Sequence, residues 1–426
     1  MRPLDLAYLA AAPPLAAAAT LRYARTGKPV AEWRAKATGR LDVPPKRGPR
    51  VWLHAVSVGE VIQCQPLVRE LAARGVSDVV LSVSTASGLK LAREKYPDTA
   101  VVPFPFDFSW ACRRAVRAIR PDAVVLTELE VWPNFVREVA AAGVPLIVAN
   151  GRLSERSFRG YRRASRLLRG TFRRLTHVAA QNREYADRFA ALGSPSVSVT
   201  GSVKFDGLQT DRNRPEVWRL RKALGLPPTD RVFVAGSTHA PEERAVLDAF
   251  RLISARHTDC RLLIVPRHPE RFDEVASLIE SDGRPPWRRT RPGTEPDAVR
   301  LLDSVGELSA AWALADVAFV GGTLDCGRGG QNMLEPAAYG VPTLFGPDTR
   351  NFADVATGLL RCRGAAVVAD ADNLAAAACR LLGRPDAAKR MGDAAAAYAR
   401  SHRGAAGKTA DIIVDAMRRQ KFAAAA

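Results

Sequence analysis

The feature that most constrains the fold is a rhythm. A short apolar run, a turn and a helix-length stretch recur from Val51 onward, with runs at Val51–Ala55, Asp78–Val83, Ala100–Val102, Ala123–Leu126, Pro145–Ala149, His177–Ala180 and Val197–Val199. Strands alternating with helices in this way make parallel sheets covered on both faces. Around residues 209–228 the chain turns polar, and the rhythm restarts at Val232–Ala235, Arg261–Val265, Val299–Leu302, Val317–Val320, Thr343–Phe345 and Ala365–Val368. A chain of 426 residues with 47% hydrophobic content can bury such a core twice. The expectation is an α/β protein of two Rossmann-like domains facing across a cleft, at 44–212 and 213–426, behind an N-terminal segment at 1–43. Residues 283–296 are expected to form an exposed loop, and residues 386–419 terminal helices.

The N-terminal segment is apolar from Leu4 to Leu21 but interrupted by Asp5 and by Pro13-Pro14, and it is followed by Arg22, Arg25, Lys28, Arg34 and Lys36. A spanning helix needs about 20 apolar residues. The run therefore suits an interfacial helix or a single anchor with a cationic cytoplasmic flank. The net charge of +19 points to an anionic partner without choosing among lipid, nucleic acid and phosphorylated substrate. Between Arg152 and Arg174 eight arginines alternate with Phe158, Tyr161, Leu168 and Phe172 at helical spacing, Glu155 being the only acid. One apolar face and one basic face suggest contact with phosphates or anionic lipid, with nucleic acid an open alternative.

The six cysteines lack C-x-x-C spacing and the six histidines form no H-E-x-x-H cluster, so neither a disulfide framework nor a metal centre is expected, and no cofactor is called for. Residues 404–409, GAAGKT, lack both the first glycine and the preceding strand of a P-loop.

Chemistry is expected where strands end, because ligands of open α/β sheets sit outside the carboxyl ends of the strands. The first strand runs into Ser57-Val58-Gly59-Glu60. Gly59 allows close backbone approach, and Glu60 at a helix start is either a general base or a capping acid. The fourth strand runs into Thr127–Asn134, TELEVWPN, where Glu128 and Glu130 share a face if the strand continues that far. Lys204, in GSVKFD, offers a cation to an anionic substrate. In the second half, Ser237 and Arg267 close the first two strands. Gly321-Gly322 and Gly330, followed by Asn332 and Glu335, resemble a phosphate cradle at a helix start, with Glu335 placed for ribose hydroxyls. The G-x-G-x-x-G spacing of a dinucleotide fold is absent.

Taken in order, SVGE, TELEVWPN, NGRLSERS, TGSVKFD, AGSTHAPEE, PRHPERF and GGQNMLEPAAYGVPTLFGPDTRNF resemble the bacterial 3-deoxy-D-manno-octulosonic acid (Kdo) transferases of lipopolysaccharide synthesis. The resemblance implies a GT-B glycosyltransferase that needs no metal. It would move Kdo from CMP-Kdo to a lipid A precursor of the lipid IVA type, with inversion, at the cytoplasmic face of the inner membrane. It implies that Glu60 is the catalytic base. Ser237, Arg267, Gly321, Gly322, Gly330, Asn332 and Glu335 would bind the nucleotide, and Ser57, Gly59, Glu128, Glu130 and Lys204 would line the acceptor side. Gln331 departs from the family's usual Gly-Gly-His-Asn, which bears on the donor. The competing expectations are a GT-B enzyme using another nucleotide sugar, and a non-enzymatic binder of anionic lipid or nucleic acid; with the family reading, no nucleic acid partner is expected.

Overall fold

Along β1 (Arg50–Ala55) the side chains of Val51, Leu53 and Ala55 enter one apolar layer and that of Trp52 enters the other, all fully buried. Successive residues of a strand point to opposite faces, so a strand apolar at every position needs cover on both. That requirement is met twice in the computed structural model, which describes residues 2, 4–6, 8–10, 32–130, 132–295 and 297–425. The chain divides into two units, residues 1–207 with 403–426, and residues 208–402.

In the first unit β1 is joined by β2 (Asp78–Val83), β3 (Ala100–Pro103), β4 (Ala123–Thr127), β5 (Leu146–Gly151), β6 (His177–Ala180) and β7 (Val197–Val199). They form one sheet of order β3-β2-β1-β4-β5-β6-β7, parallel throughout. The second unit repeats the plan with β8 (Arg231–Thr238), β9 (Cys260–Pro266), β10 (Pro286–Arg288), β11 (Val299–Leu301), β12 (Val317–Val320), β13 (Thr343–Phe345) and β14 (Ala365–Val367), in the order β10-β11-β9-β8-β12-β13-β14. Two such sheets, each clad in helices, make the GT-B type of α/β fold.

Three expectations are corrected. The stretch 283–296 is not all loop: Pro286–Arg288 pairs with β11 as an edge strand. Proline opens it, as edge strands tolerate, and Trp287 packs under the Arg300 guanidinium 5.2 Å away. The chain divides at 207/208, ahead of the expected 212/213. And the final helix, Ala405–Ala425, belongs to the first unit: Ala410, Ile413 and Met417 are buried in the apolar layer that holds Val51, Leu53 and Leu71. Burying an isoleucine or methionine contributes about 1.5–3 kcal/mol each, which favours docking this helix over leaving it exposed.

The N-terminal residues are partly visible. Residues 4–6 and 8–10 are helical, and Asp5, fully buried, accepts hydrogen bonds from the backbone N–H and hydroxyl of Ser109 and from Asn134 Nδ2. The helix Ser109–Ile119 has no capping side chain of its own. Asp5 supplies that acceptor from 104 positions away. Most of the segment expected to associate with a membrane, residues 11–31, lies outside the described residues. Among the described residues no helix is long and apolar enough to cross a membrane.

The arginine-rich stretch forms two helices, Glu155–Arg163 and Ser165–Phe172. Phe158, Tyr161 and Leu168 pack half-buried against the first unit's core, Phe172 is buried, and Arg156, Arg159, Arg162, Arg163, Arg166 and Arg169 are exposed.

Candidate functional site

The strand order reverses direction in the middle of each sheet, between β1 and β4 in the first unit and between β8 and β12 in the second, where β10 and β11 add a further reversal at the edge. At such a point neighbouring connections leave on opposite sides and open a crevice at the carboxyl ends of the strands. Glu60 follows β1 and Glu128 follows β4; Ser237 ends β8 and Gly321 follows β12. The sequence-derived candidates thus fall at the two switch points.

In the first unit Ser57 caps the helix Val58–Ala73, its hydroxyl oxygen 3.4 Å from the backbone nitrogen of Glu60. Glu60 reaches back: Oε2 accepts from the Val56 N–H at 2.9 Å and Oε1 from the Ser57 hydroxyl at 3.1 Å. This is a capping-box arrangement, so the capping role weighed from the sequence is real. A further donor comes from β4, where the Thr127 hydroxyl lies 2.7 Å from Glu60 Oε2 and 2.9 Å from the carbonyl of His54. Two carboxylate oxygens offer about four lone-pair positions, and three donors engage three of them. One acceptor position is left on a carboxylate that is otherwise fixed. A Cβ at Gly59 would meet only Ser57 Oγ at 3.8 Å, so that side of the helix start is open.

Glu128 and Glu130 gather beside Glu60, though not as successive outward residues of a strand. β4 ends at Thr127, and Glu128 adopts the left-handed φ of 56°, its N–H held by the carbonyl of Ala149. A non-glycine residue in that region is strained, and such strain clusters at functional sites. Burial, then the Glu60 charge, raises the Glu128 pKa against the pull of Lys204 and Arg152. For Glu130, burial and then Glu60 push the pKa up to about 7, with the Trp132 indole acting the other way. The indole nitrogen stands off from a full hydrogen bond and is otherwise unpartnered. Lys204, in the short turn Val203–Phe205, belongs to this group through its field on Glu128.

The motif TELEVWPN therefore divides. Thr127 to Glu130 belongs to the site, whereas Trp132 packs half-buried with the core and Asn134, 2% exposed, ties the carbonyl of Asp107 to Asp5.

In the second unit a pocket of about 340 Å³ is lined by Ser237, Arg267, Asn332 and Glu335 among others. Ser237 has a left-handed φ of 56° at the end of β8. The Arg267 side chain has no ion-pair partner among the described residues, while its backbone N–H is held by the carbonyl of Thr238. Asn332 Nδ2 donates to Glu335 Oε1 at 3.0 Å, and Trp312 Nε1 points toward the same carboxylate. Desolvation raises the Glu335 pKa, offset in part by Asn332, Trp312 and Arg267. At the rim His239 is pushed down to about 4 by burial and by His268, Arg328, Arg267 and Arg271. Gln331 Nε2 lies 3.4 Å from His239 Nε2. The pocket thus sets one guanidinium, Arg267, beside a hydrogen-bonded carboxylate, Glu335.

The glycine-rich cradle is corrected. Gly321, Gly322 and Gly330 do not line this pocket, and the N–H groups of Gly322, Thr323 and Leu324 are already taken by Glu242, at 2.7, 2.9 and 2.9 Å. Glu242 is 1% exposed and also accepts from the His239 N–H. Gly330 donates to the carbonyl of Gly322, and the helix after it, Leu334–Ala338, has five residues. Gly321 serves close packing instead, since a Cβ there would lie 2.6 Å from both Ser237 O and Thr238 Cα. The glycines lock the two strand-end loops together, with Glu242 filling the nest that a phosphate was expected to fill. Glu242 opens the helix Glu242–Arg256 and turns inward to these amides.

Among the described residues no group of three or more His, Cys, Asp or Glu side chains is arranged to hold a metal ion.

A family model described as 3-deoxy-D-manno-octulosonic-acid transferase (kdotransferase) matches residues 31–207. The 3-deoxy-D-manno-octulosonic acid transferase of Haemophilus influenzae is 32% identical over 383 residues, covering 88% of this chain and 88% of that protein. The enzyme of the same description from Bordetella pertussis is 33% identical over 402 residues, covering 90% and 92%. Among solved structures, UDP-GlcNAc 2-epimerase from Neisseria meningitidis is 12% identical with a TM-score of 0.58, over 87% of this chain and 100% of that one. At that identity the likeness is one of fold alone.

Proposed function

The chain belongs to the 3-deoxy-D-manno-octulosonic acid transferase family and is a glycosyltransferase, and on that premise we propose that it moves Kdo from CMP-Kdo to a lipid A precursor with inversion at the anomeric carbon. The observation that carries the reading is the Glu60 carboxylate, fixed by Val56, Ser57 and Thr127 with one acceptor position left over. A base needs a defined position and a free lone pair aimed at the proton it removes. Glu60 takes the proton of the acceptor hydroxyl as that oxygen bonds to the anomeric carbon, and the bond from that carbon to the CMP phosphate oxygen breaks. Glu128, Glu130 and Lys204 arrange the acceptor around it.

The second unit supplies the donor pocket. Arg267 meets the phosphate of CMP and stabilises the charge it gains on leaving. Glu335, aligned by Asn332, accepts from ribose hydroxyls. Because Glu242 occupies the amides of residues 322–324, the nucleotide phosphate is bound by Arg267 and not by the glycines. The exposed arginines of the helices Glu155–Arg163 and Ser165–Phe172 suit peripheral binding to the anionic cytoplasmic face of the inner membrane.

The test is to incubate the protein with CMP-Kdo and a lipid A precursor, then weigh the lipid by mass spectrometry. A mass gain of one or more Kdo units, absent with Glu60→Ala of unchanged melting temperature, is the expected result. Turnover of a different nucleotide sugar with CMP-Kdo left intact would overturn the substrate assignment.

A further inference from the structure

A groove of about 730 Å³ lies in the first unit at the amino ends of β5, β6 and β7, whereas Glu60 follows the carboxyl end of β1. Pro145, Thr176, His177 and Ser196, which precede or begin β5, β6 and β7, form one wall. A stripe of the final helix, including Ile412, Ala416 and Arg419, forms the other. Two guanidinium groups enter it. Arg174 is folded back on its own helix, donating to the carbonyl of Gly170; a Cβ at Gly170 would come within 2.9 Å of that guanidinium. Glycine inside a helix costs about 1 kcal/mol relative to alanine, and here it leaves room for the arginine. Arg419 enters from the final helix.

Neither arginine has a carboxylate within 4 Å among the described residues, and both are exposed to solvent along the groove. Asp415, the acid in the lining, is turned to Arg418 at 3.9 Å. Two cations lining one groove favour an anion placed between them. His177 lines the same groove, with Nδ1 2.8 Å from the Ser196 hydroxyl and Nε2 2.8 Å from that of Ser198. Burial, then Arg419, lowers its pKa, so the ring is a neutral group hydrogen-bonded on both sides.

We propose that this groove binds a phosphate monoester group between Arg174 and Arg419. Guanidinium groups match phosphate oxygens in pairs, the Thr176 and Ser196 hydroxyls add donors, and Val144, Pro145, Ile412 and Ala416 offer an apolar wall to whatever carries the phosphate. The volume suits a ligand of small-molecule size. The site is separate from the donor pocket and does not depend on the assignment of Kdo transfer.

His177 is the reporter, because a phosphate that neutralises Arg419 removes one cause of its lowered pKa. The full-length protein is titrated by imidazole NMR, with His177 assigned by His177→Asn, in chloride, in inorganic phosphate and in monomeric dihexanoyl phosphatidic acid at one ionic strength. Phosphate or phosphatidic acid is expected to raise the His177 pKa over chloride, and the rise is expected to vanish in the doubly substituted Arg174→Gln, Arg419→Gln protein. A rise with inorganic phosphate identifies a soluble phosphate as sufficient; a rise with phosphatidic acid alone identifies a lipid headgroup. No rise with either, or an equal rise in the double variant, overturns the proposal.

Discussion

The hydroxyl of Thr127 stands 2.7 Å from Glu60 Oε2, joining the ends of two strands that are neighbours in the sheet and 67 residues apart in the chain. Thr127 carries one proton and has two acceptors in range, Glu60 and the carbonyl of His54, so donation to one releases the other. Substituting Thr127→Val keeps the shape and removes the donor. We expect turnover to fall about tenfold, the equivalent of one charge-assisted hydrogen bond, with KM for CMP-Kdo little changed and activity largely restored by Thr127→Ser. Wild-type turnover in Thr127→Val would show that Glu60 is positioned without it.

Glu130 makes the pH dependence of stability testable. Its folded pKa, about 7, lies above the ordinary 4.5, so the folded state holds the proton more tightly than the unfolded chain. Stability from this group is present below pH 4.5 and is lost as pH rises toward 7. Glu128 acts in the same direction. Glu130→Gln should therefore raise the melting temperature relative to wild type at pH 8 and leave it nearly unchanged at pH 4. A calorimetric difference that is the same at both values would mean that Glu130 is not held in this state.

The arrangement that produces this cluster was only partly legible in the sequence. The alternation of apolar runs and helices located thirteen strands within a residue or two at most ends, because strands buried on both faces write themselves as continuous apolar text. Pro286–Arg288 was hidden because a three-residue edge strand with half-buried side chains leaves no such run. The motif ends placed Glu60, Glu128 and Ser237 at the switch points and Arg267 at the end of the neighbouring strand β9, since topology fixes where strands finish. What the residues do on arrival depends on contacts across the sheet. Glycines before a short helix suggested open N–H groups, and nothing local announced that Glu242, some 80 residues earlier, would fill them. The last helix read as part of the second unit because sequence order is silent on which core an amphipathic stripe joins.

Glu242 gives a sharp structural prediction. A buried N–H left without an acceptor costs about 1–3 kcal/mol, and Glu242→Ala orphans four of them. Loss of folding in the second unit is the expected outcome, seen as a missing or strongly lowered calorimetric transition. Glu242→Gln keeps an acceptor oxygen but turns an NH2 toward donors, and should destabilise by about 2 kcal/mol. CMP affinity, measured by isothermal titration calorimetry, should weaken as the Ser237 and Gly322 loops part. An unaltered melting temperature in Glu242→Ala would contradict the observed network.

Gly321 tests the same junction by crowding. Alanine there must displace the backbone at Ser237 and Thr238, since 2.6 Å is closer than any carbon contact permits. Ser237 lines the pocket proposed to hold the nucleotide, so Gly321→Ala should weaken CMP binding severalfold while leaving the first unit's thermal transition in place. If CMP binds as in wild type, the loop junction is not coupled to the pocket.

The membrane assignment rests on exposed charge and can be separated from catalysis. Arg156, Arg163 and Arg166 project from the two arginine-rich helices without carboxylate partners among the described residues, and Leu167 beside them is 76% exposed. Each basic residue near an anionic bilayer contributes about 1 kcal/mol, so replacing these three by Gln should cost about two orders of magnitude in partitioning. Arg159 is the internal control, because its guanidinium is already engaged by Glu155 at 2.9 Å and should matter less. Co-sedimentation with vesicles containing phosphatidylglycerol, repeated at rising salt, measures both effects. Salt-insensitive binding that survives the triple substitution would place the membrane contact elsewhere on the protein, whereas a steep salt dependence lost with the three arginines would locate it on this face.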